Sequence, residues 1–145
     1  MKITSLIAGI LLLQLLVWLF VLRWIKKKNV SLIKKMSSQC RTANHRVVIE
    51  PTSALFRGSD AKFGNIKGNG IICLTEDSLF FEKLTGQKIK LKRAEITNAA
   101  VEEWFKGKPS FATGGKHLVI KTTDGNRIGF LVRDTDMWVN KIKSL

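Results

Sequence analysis

The sequence predicts one apolar helix that crosses a membrane, followed by a mainly-β barrel of about seven antiparallel strands capped by a C-terminal α-helix. Three observations carry this. Of the 23 positions from Ile3 to Ile25, 18 are apolar. From Ser53 onward, short apolar runs alternate with turn sequences. After Asp134 the apolar side chains return at helical spacing. A chain of 145 residues has room for one modest domain plus a leading segment, and not for two domains.

The leading segment comes first. At about 1.5 Å per residue, a helix over residues 3–25 is about 34 Å long, enough for a hydrocarbon core of roughly 30 Å. Its exceptions to apolarity are Thr4, Ser5, Gly9, Gln14 and Arg23. Trp24 and Arg23 adjoin Lys26, Lys27 and Lys28, the order of aromatic anchor and snorkelling base found at an interface. A cleavable signal would have a shorter apolar core and a small-x-small site, whereas here lysines follow. The expected organisation is a transmembrane helix over 1–25, a basic stalk and linker over 26–52, and a globular domain over 53–145.

Charge is unevenly spread. The total is +14, yet residues 1–50 hold nine basic residues against the single acid Glu50. The excess therefore lies beside the apolar segment, where anionic lipid headgroups are the expected partner and nucleic acid is not. Trp24, Lys26, Lys27, Lys28, Lys34 and Lys35 form the expected membrane-interface set. Lysines dominate only the C-terminal flank of the helix, so the positive-inside rule puts the N-terminus outside and the body in the cytoplasm. The expected location is the plasma (inner) membrane, crossed once.

Between Lys26 and Met36, the apolar residues Val30, Leu32, Ile33 and Met36 interrupt the lysines. This pattern suits a continued helix or a segment lying on headgroups, but a solvated stalk is the reading adopted, with the linker at Ser37–Asn44. His45 reads as a solvated linker histidine, and residues 45–51 as a short strand ended by Pro51 or as the entry into the globular body. Cys40 and Cys73 form no CxxC motif. A bridge between them stays open, although Cys73, within Ile71-Ile72-Cys73-Leu74, reads as a small buried hydrophobe.

The body divides into runs at 53–59, 70–74, 79–84, 88–92, 96–105, 117–122 and 127–132. Lys88-Ile89-Lys90-Leu91-Lys92 alternates with period two, lysines to solvent and apolar side chains inward. Residues 75–78, 84–87 and 123–126 are compact turns, the last carrying Asp124-Gly125 in a hairpin position. Gly-rich stretches at 60–69 and 106–115 are expected to be mobile loops. Asp134 is a candidate N-cap, and Trp138, Ile142 and Leu145 share one helical face that should plug the barrel.

These phrases resemble the pleckstrin-homology superfold, and more closely its GRAM-like and bacterial relatives. Residues 70–81, Gly-Ile-Ile-Cys-Leu-Thr-Glu-Asp-Ser-Leu-Phe-Phe, are similar to a GRAM-type strand-turn-strand unit, and 89–96 to the step that follows it. Trp138 lies where such domains carry a tryptophan on the capping helix. Lys92 and Arg93 depart from the Pro-Leu often met in that step. The resemblance spans residues 53–145 and implies a non-catalytic adaptor that binds lipid headgroups or a protein segment.

No catalytic constellation, metal site or cofactor motif is evident. Glu102 and Glu103 point to opposite faces of a strand, and Gly64–Gly70 lacks the Gly-Lys-Ser/Thr ending of a phosphate loop. In the resembled family the first loop is a common headgroup site. Here it carries Lys62 and Lys67, while Lys83 and Lys88 flank a turn expected at the same end. These four are the candidate phosphate-binding residues, with four solvated lysines as the plainer reading. Phe105 and Phe111 frame Lys106 and Lys108, as core anchors or as an interfacial wedge. The expected function is a membrane-anchored adaptor contacting anionic headgroups; the alternative is a tethered scaffold whose barrel binds a partner protein.

Overall fold

The computed structural model describes residues 2–42, 46–110 and 115–145, with side chains in the first segment described from 7 to 40. Helix α1 spans Lys2–Thr42 without interruption. This corrects the expected stalk and linker, since residues 26–42 continue the helix. The reason is tertiary. Leu32, Ile33, Met36 and Cys40 recur at helical spacing and pack on the sheet. The polar Ser37-Ser38-Gln39 stretch is tolerated because Ser38 Oγ donates to the Lys34 carbonyl at 2.9 Å. His45 lies outside the described residues. By length and composition, α1 is long and apolar enough to cross a membrane.

Strand β1, Val47–Ser59, runs through Pro51 and does not stop there. Its pairing with β2 (Gly68–Thr75) shifts register on both sides of Ile49, so the proline falls in a bulged stretch where its missing N–H costs no regular ladder bond. Then follow β3 (Ser78–Lys83), β4 (Lys88–Lys92), a 3-10 turn (Arg93–Glu95) and β5 (Ile96–Glu102). Strands β8 (His117–Thr122) and β9 (Arg127–Val132) precede helix α2 (Thr135–Lys143).

Seven strands form one antiparallel sheet in the order β4-β3-β2-β1-β9-β8-β5. The expected run 96–105 is split. β5 ends at Glu102, and β6 (Trp104–Phe105) makes a separate hairpin with β7 (Lys108–Pro109). Lys106 and Gly107 both have positive φ, 52° and 68°, the twist a two-residue hairpin needs.

The core lies inside the curl. Phe56, Phe81 and Phe130 stack there with centroid separations of 5.2 to 5.9 Å. Trp138, Val139 and Ile142 of α2 are buried against the same cluster. Asp134 caps α2 from the left-handed region, φ 57°, its carboxylate accepting from the Met137 N–H at 3.2 Å. Leu145 departs from the expected face: it is 39% exposed, because the helix ends at Lys143.

A second, smaller cluster lies on the outer face. Met36 and Cys40 of α1 meet Ile71 and Cys73 of β2, with Leu32, Ile33, Val47 and Phe80 around them. Ile72 and Leu74 face the inner core. The unbroken apolar run 71–74 is thus a strand covered on both sides.

Candidate functional site

The docking of α1 decides which end of the sheet faces the apolar half of the helix. Asn29 lines a cavity of about 740 Å³ with Ser53, Asn69 and Gly70. Lys35 Nζ donates to Glu82 Oε1 at 2.9 Å, and Glu82 pairs with Ile71. Cys40 Sγ meets Cys73 Sγ at 3.5 Å. Positions 29, 35 and 40 therefore match 69, 71 and 73, so α1 and β2 run side by side in the same sense. The chain ends of β1 and β3 and the start of β2 lie toward residue 25.

That end carries the β1–β2 connection (60–67), the β3–β4 turn (84–87) and the β8–β9 turn (123–126). The first is not the mobile loop its glycines suggest. Ser59 N–H donates to the Gly64 carbonyl at 2.9 Å, and Phe63 N–H to Ser59 Oγ at 2.8 Å. Ala61 N–H donates to Asn126 Oδ1 at 3.0 Å, and Gln87 Nε2 to the Phe63 carbonyl at 3.1 Å. Lys106, from the β6–β7 hairpin, donates to the Ser59 carbonyl at 2.8 Å and to Asn65 Oδ1. Short side chains and backbone groups meet across three connections, a pattern that glycine content hides.

Among the four candidate lysines, Lys83 departs from expectation. It is only 4% exposed and turns inward: its ammonium donates to the Ile66 carbonyl at 2.7 Å and to Gln87 Oε1 at 2.6 Å, 4.4 Å from the centre of the Phe56 ring. Burial pulls its pKa below the usual lysine value. Lys83 is thus a strut that holds the first loop, since β3 places it on the face of Leu79 and Phe81. The expected convergence of four ammonium groups does not form.

Lys62 and Lys67 remain on the exposed loop surface. Lys62 lies near Asp124, whose carboxyl is held below its ordinary value chiefly by a hydrogen bond from Thr122 Oγ1. Lys88 opens β4 opposite Glu82, exposed and on the outer surface. Between Lys62 and Lys67, Ile66 is 81% exposed, two residues before β2 begins. Sequence reasoning missed it; the signal was one branched apolar residue set between Asn65 and Lys67 in a polar loop.

The residues expected at a membrane interface lie along α1. Lys28 Nζ sits 4.6 Å from the Trp24 ring centre. Arg23, Lys26, Lys27 and Val30 line a shallow hollow of about 390 Å³ on the helix surface. Lys34 and Lys35 stand level with the docked stretch, and Lys35 is engaged with Glu82. Phe105 is buried on the outer face of β8 and β9, against Gly129 and His117 and apart from the inner core, and Phe111 lies outside the described residues. Among the described residues, no three His, Cys, Asp or Glu side chains come together to hold a metal ion.

No protein-family profile and no curated protein matches this chain. Among solved structures, it is similar to the C-terminal domain of an unknown protein from Leishmania infantum, with 14% identity and a TM-score of 0.52 over 74% of this chain and 90% of that one. It is also similar to the pleckstrin homology domain of USP37, with 13% identity and a TM-score of 0.44 over 63% and 93% of the two chains. Similarity at these identities concerns the fold alone. The strand order, the pairing of first strand with last and the helical cap give the body the pleckstrin-homology-like fold that its sequence phrases resemble.

Proposed function

We propose that this chain is a single-pass membrane protein of the GRAM-like, bacterial type, whose barrel is held against the cytoplasmic leaflet of the plasma (inner) membrane to contact anionic headgroups. The observation that supports it is the sense of docking. From Cys40 back to Ile25 the helix rises about 22 Å, while from Cys73 back to Gly68 the strand rises at most about 16 Å. The connection 60–67 projects beyond Gly68 into the remaining gap. Lys62, Ile66 and Lys67 thereby approach a headgroup layer that is about 5–7 Å thick. Tethering raises the effective concentration of so weak a contact.

The test uses the full chain, because removing α1 would uncover Ile71, Cys73 and Phe80. Amide exchange over 60–67 is compared in nanodiscs of neutral and of anionic lipid, at low and physiological salt. Protection in anionic discs that fades with salt, and is lost in the Lys62→Ala/Lys67→Ala double variant, supports headgroup contact. Equal exchange in both lipids overturns it and leaves the tethered protein-binding scaffold. Lys83→Met should instead raise exchange over 60–67 alike in both lipids, since that ammonium holds the connection from inside.

A further inference from the structure

We propose that Cys40 and Cys73 are a redox modification site, which an anionic small-molecule disulfide such as glutathione disulfide converts into a covalent staple between α1 and β2. The two thiols come from elements that meet only through helix docking. Their sulfurs lie 3.5 Å apart, and both residues are buried. Closing to a bond of about 2.05 Å needs roughly 1.5 Å of side-chain movement.

The surroundings assign the two sulfurs different roles. A groove of about 380 Å³ runs between α1 and the β3–β4 hairpin, lined by Met36, Gln39, Cys40, Phe80, Lys88 and Lys90 among others. Cys40 is thus the thiol that a reagent in the groove meets. Cys73 is not on that lining and stands behind it, 0% exposed. Glu82 also lines the groove but is paired with Lys35, so Lys88 and Lys90 leave a positive rim, which draws an anionic disulfide such as glutathione disulfide.

The chemistry balances in two exchanges. The Cys40 sulfur, having lost its proton to solvent, attacks one sulfur of the reagent; its S–S bond breaks and one glutathione thiolate leaves, taking up a proton. The Cys73 sulfur then attacks Cys40 Sγ, gives its proton to the second departing glutathione thiolate, and forms the internal disulfide. Two cysteine thiols are oxidised, and one glutathione disulfide is reduced to two glutathiones. Burial first, and then the neighbouring Cys40, push the Cys73 thiol well above its ordinary pKa. In the reduced protein Cys73 therefore remains a neutral packed thiol, and the contribution from Cys40 disappears once that sulfur is capped.

This inference stands apart from headgroup binding and is tested apart from it. The full chain in phosphatidylcholine nanodiscs is incubated with glutathione disulfide, quenched in acid, denatured and alkylated with iodoacetamide. The expected result is loss of both alkylation sites in the monomeric chain, with a digest peptide containing Cys40 linked to one containing Cys73. Met36→Asp, which sets a charge in the docked face, should lose the linked peptide. Persistent alkylation of both cysteines, a glutathione adduct that never resolves, or crosslinks only between chains overturns the proposal.

Discussion

Among the described residues, Met36 is the larger of the two side chains that α1 buries against the sheet, and Met36→Ala measures the docking of the extended helix. Met36 is 5% exposed between Ile71 and Cys73. Burying such a side chain is worth about 1.5–3 kcal/mol, and alanine retains little of it, so the loss is about 2 kcal/mol. If residues 32–40 exchange their amides when this segment lifts from the sheet and frays, the exchange should accelerate roughly 30-fold, at about 1.4 kcal/mol per factor of ten. Hydrogen exchange on the full chain in nanodiscs reads this directly. Two comparisons fix the cause. Val30 is 47% exposed, so Val30→Ala should change exchange by less than about 2-fold. Lys35→Ala takes a partner from a Glu82 carboxylate that is only 9% exposed, so its acceleration should exceed that of Val30→Ala. Equal acceleration in Met36→Ala and Val30→Ala would refute the view that apolar burial, rather than helix propensity, holds α1 to the barrel.

Trp138→Ala should cost about 3–5 kcal/mol in urea unfolding, since the ring is fully enclosed; a loss under about 1 kcal/mol would mean α2 is not part of the core. Gly129→Ala should destabilise by about 1–3 kcal/mol, because a Cβ there would run into the Phe105 ring; unchanged unfolding would show that the ring gives way freely. His117 is fully buried, and burial first, then the Arg57 guanidinium donating to its Nε2 at 3.2 Å, pull its pKa below 6.5. The unfolded chain binds the extra proton, so the stabilising contribution is complete above pH 6.5 and is lost as pH falls through the folded value. Unfolding followed between pH 7 and 5 should show this slope, and His117→Gln should flatten it; parallel curves would place the acid sensitivity elsewhere.

Much of the body was legible because one-sided elements write their burial as a period. β4 is the plainest case: the alternation Lys88 to Lys92 matches its exposed and buried positions residue by residue. Asp134 and Trp138 were legible for a similar reason, a cap and an apolar face being local signals. The extension of α1 was not. Its apolar stripe is short, it passes through Ser37-Ser38-Gln39, and its partner is the outer face of a strand far along the chain. Lys83 failed differently. Residue type suggested solvent, yet the period of β3 puts 79, 81 and 83 on one face, and that period outweighs the charge because Ile66 and Gln87 supply acceptors. Ile66 was overlooked because one apolar residue makes no period at all.

The pairing of β1 with β9 has a consequence for the order in which the protein folds. β1 is the first strand made, and it occupies the centre of the sheet, with Phe56 opposite Phe130. During synthesis β1 can pair with β2, and β2 with β3, in a growing meander of local hairpins. Its other edge stays open until residues 127–132 emerge. Until then the apolar face that includes Phe56 and Phe81 lacks Phe130, Trp138 and Ile142. A ribosome that stops before residue 127 therefore leaves a sheet split at its middle, not one trimmed at its rim. In such a fragment the helix emerges early enough to cover Ile71 and Cys73, while the inner face waits for the last strand and the cap.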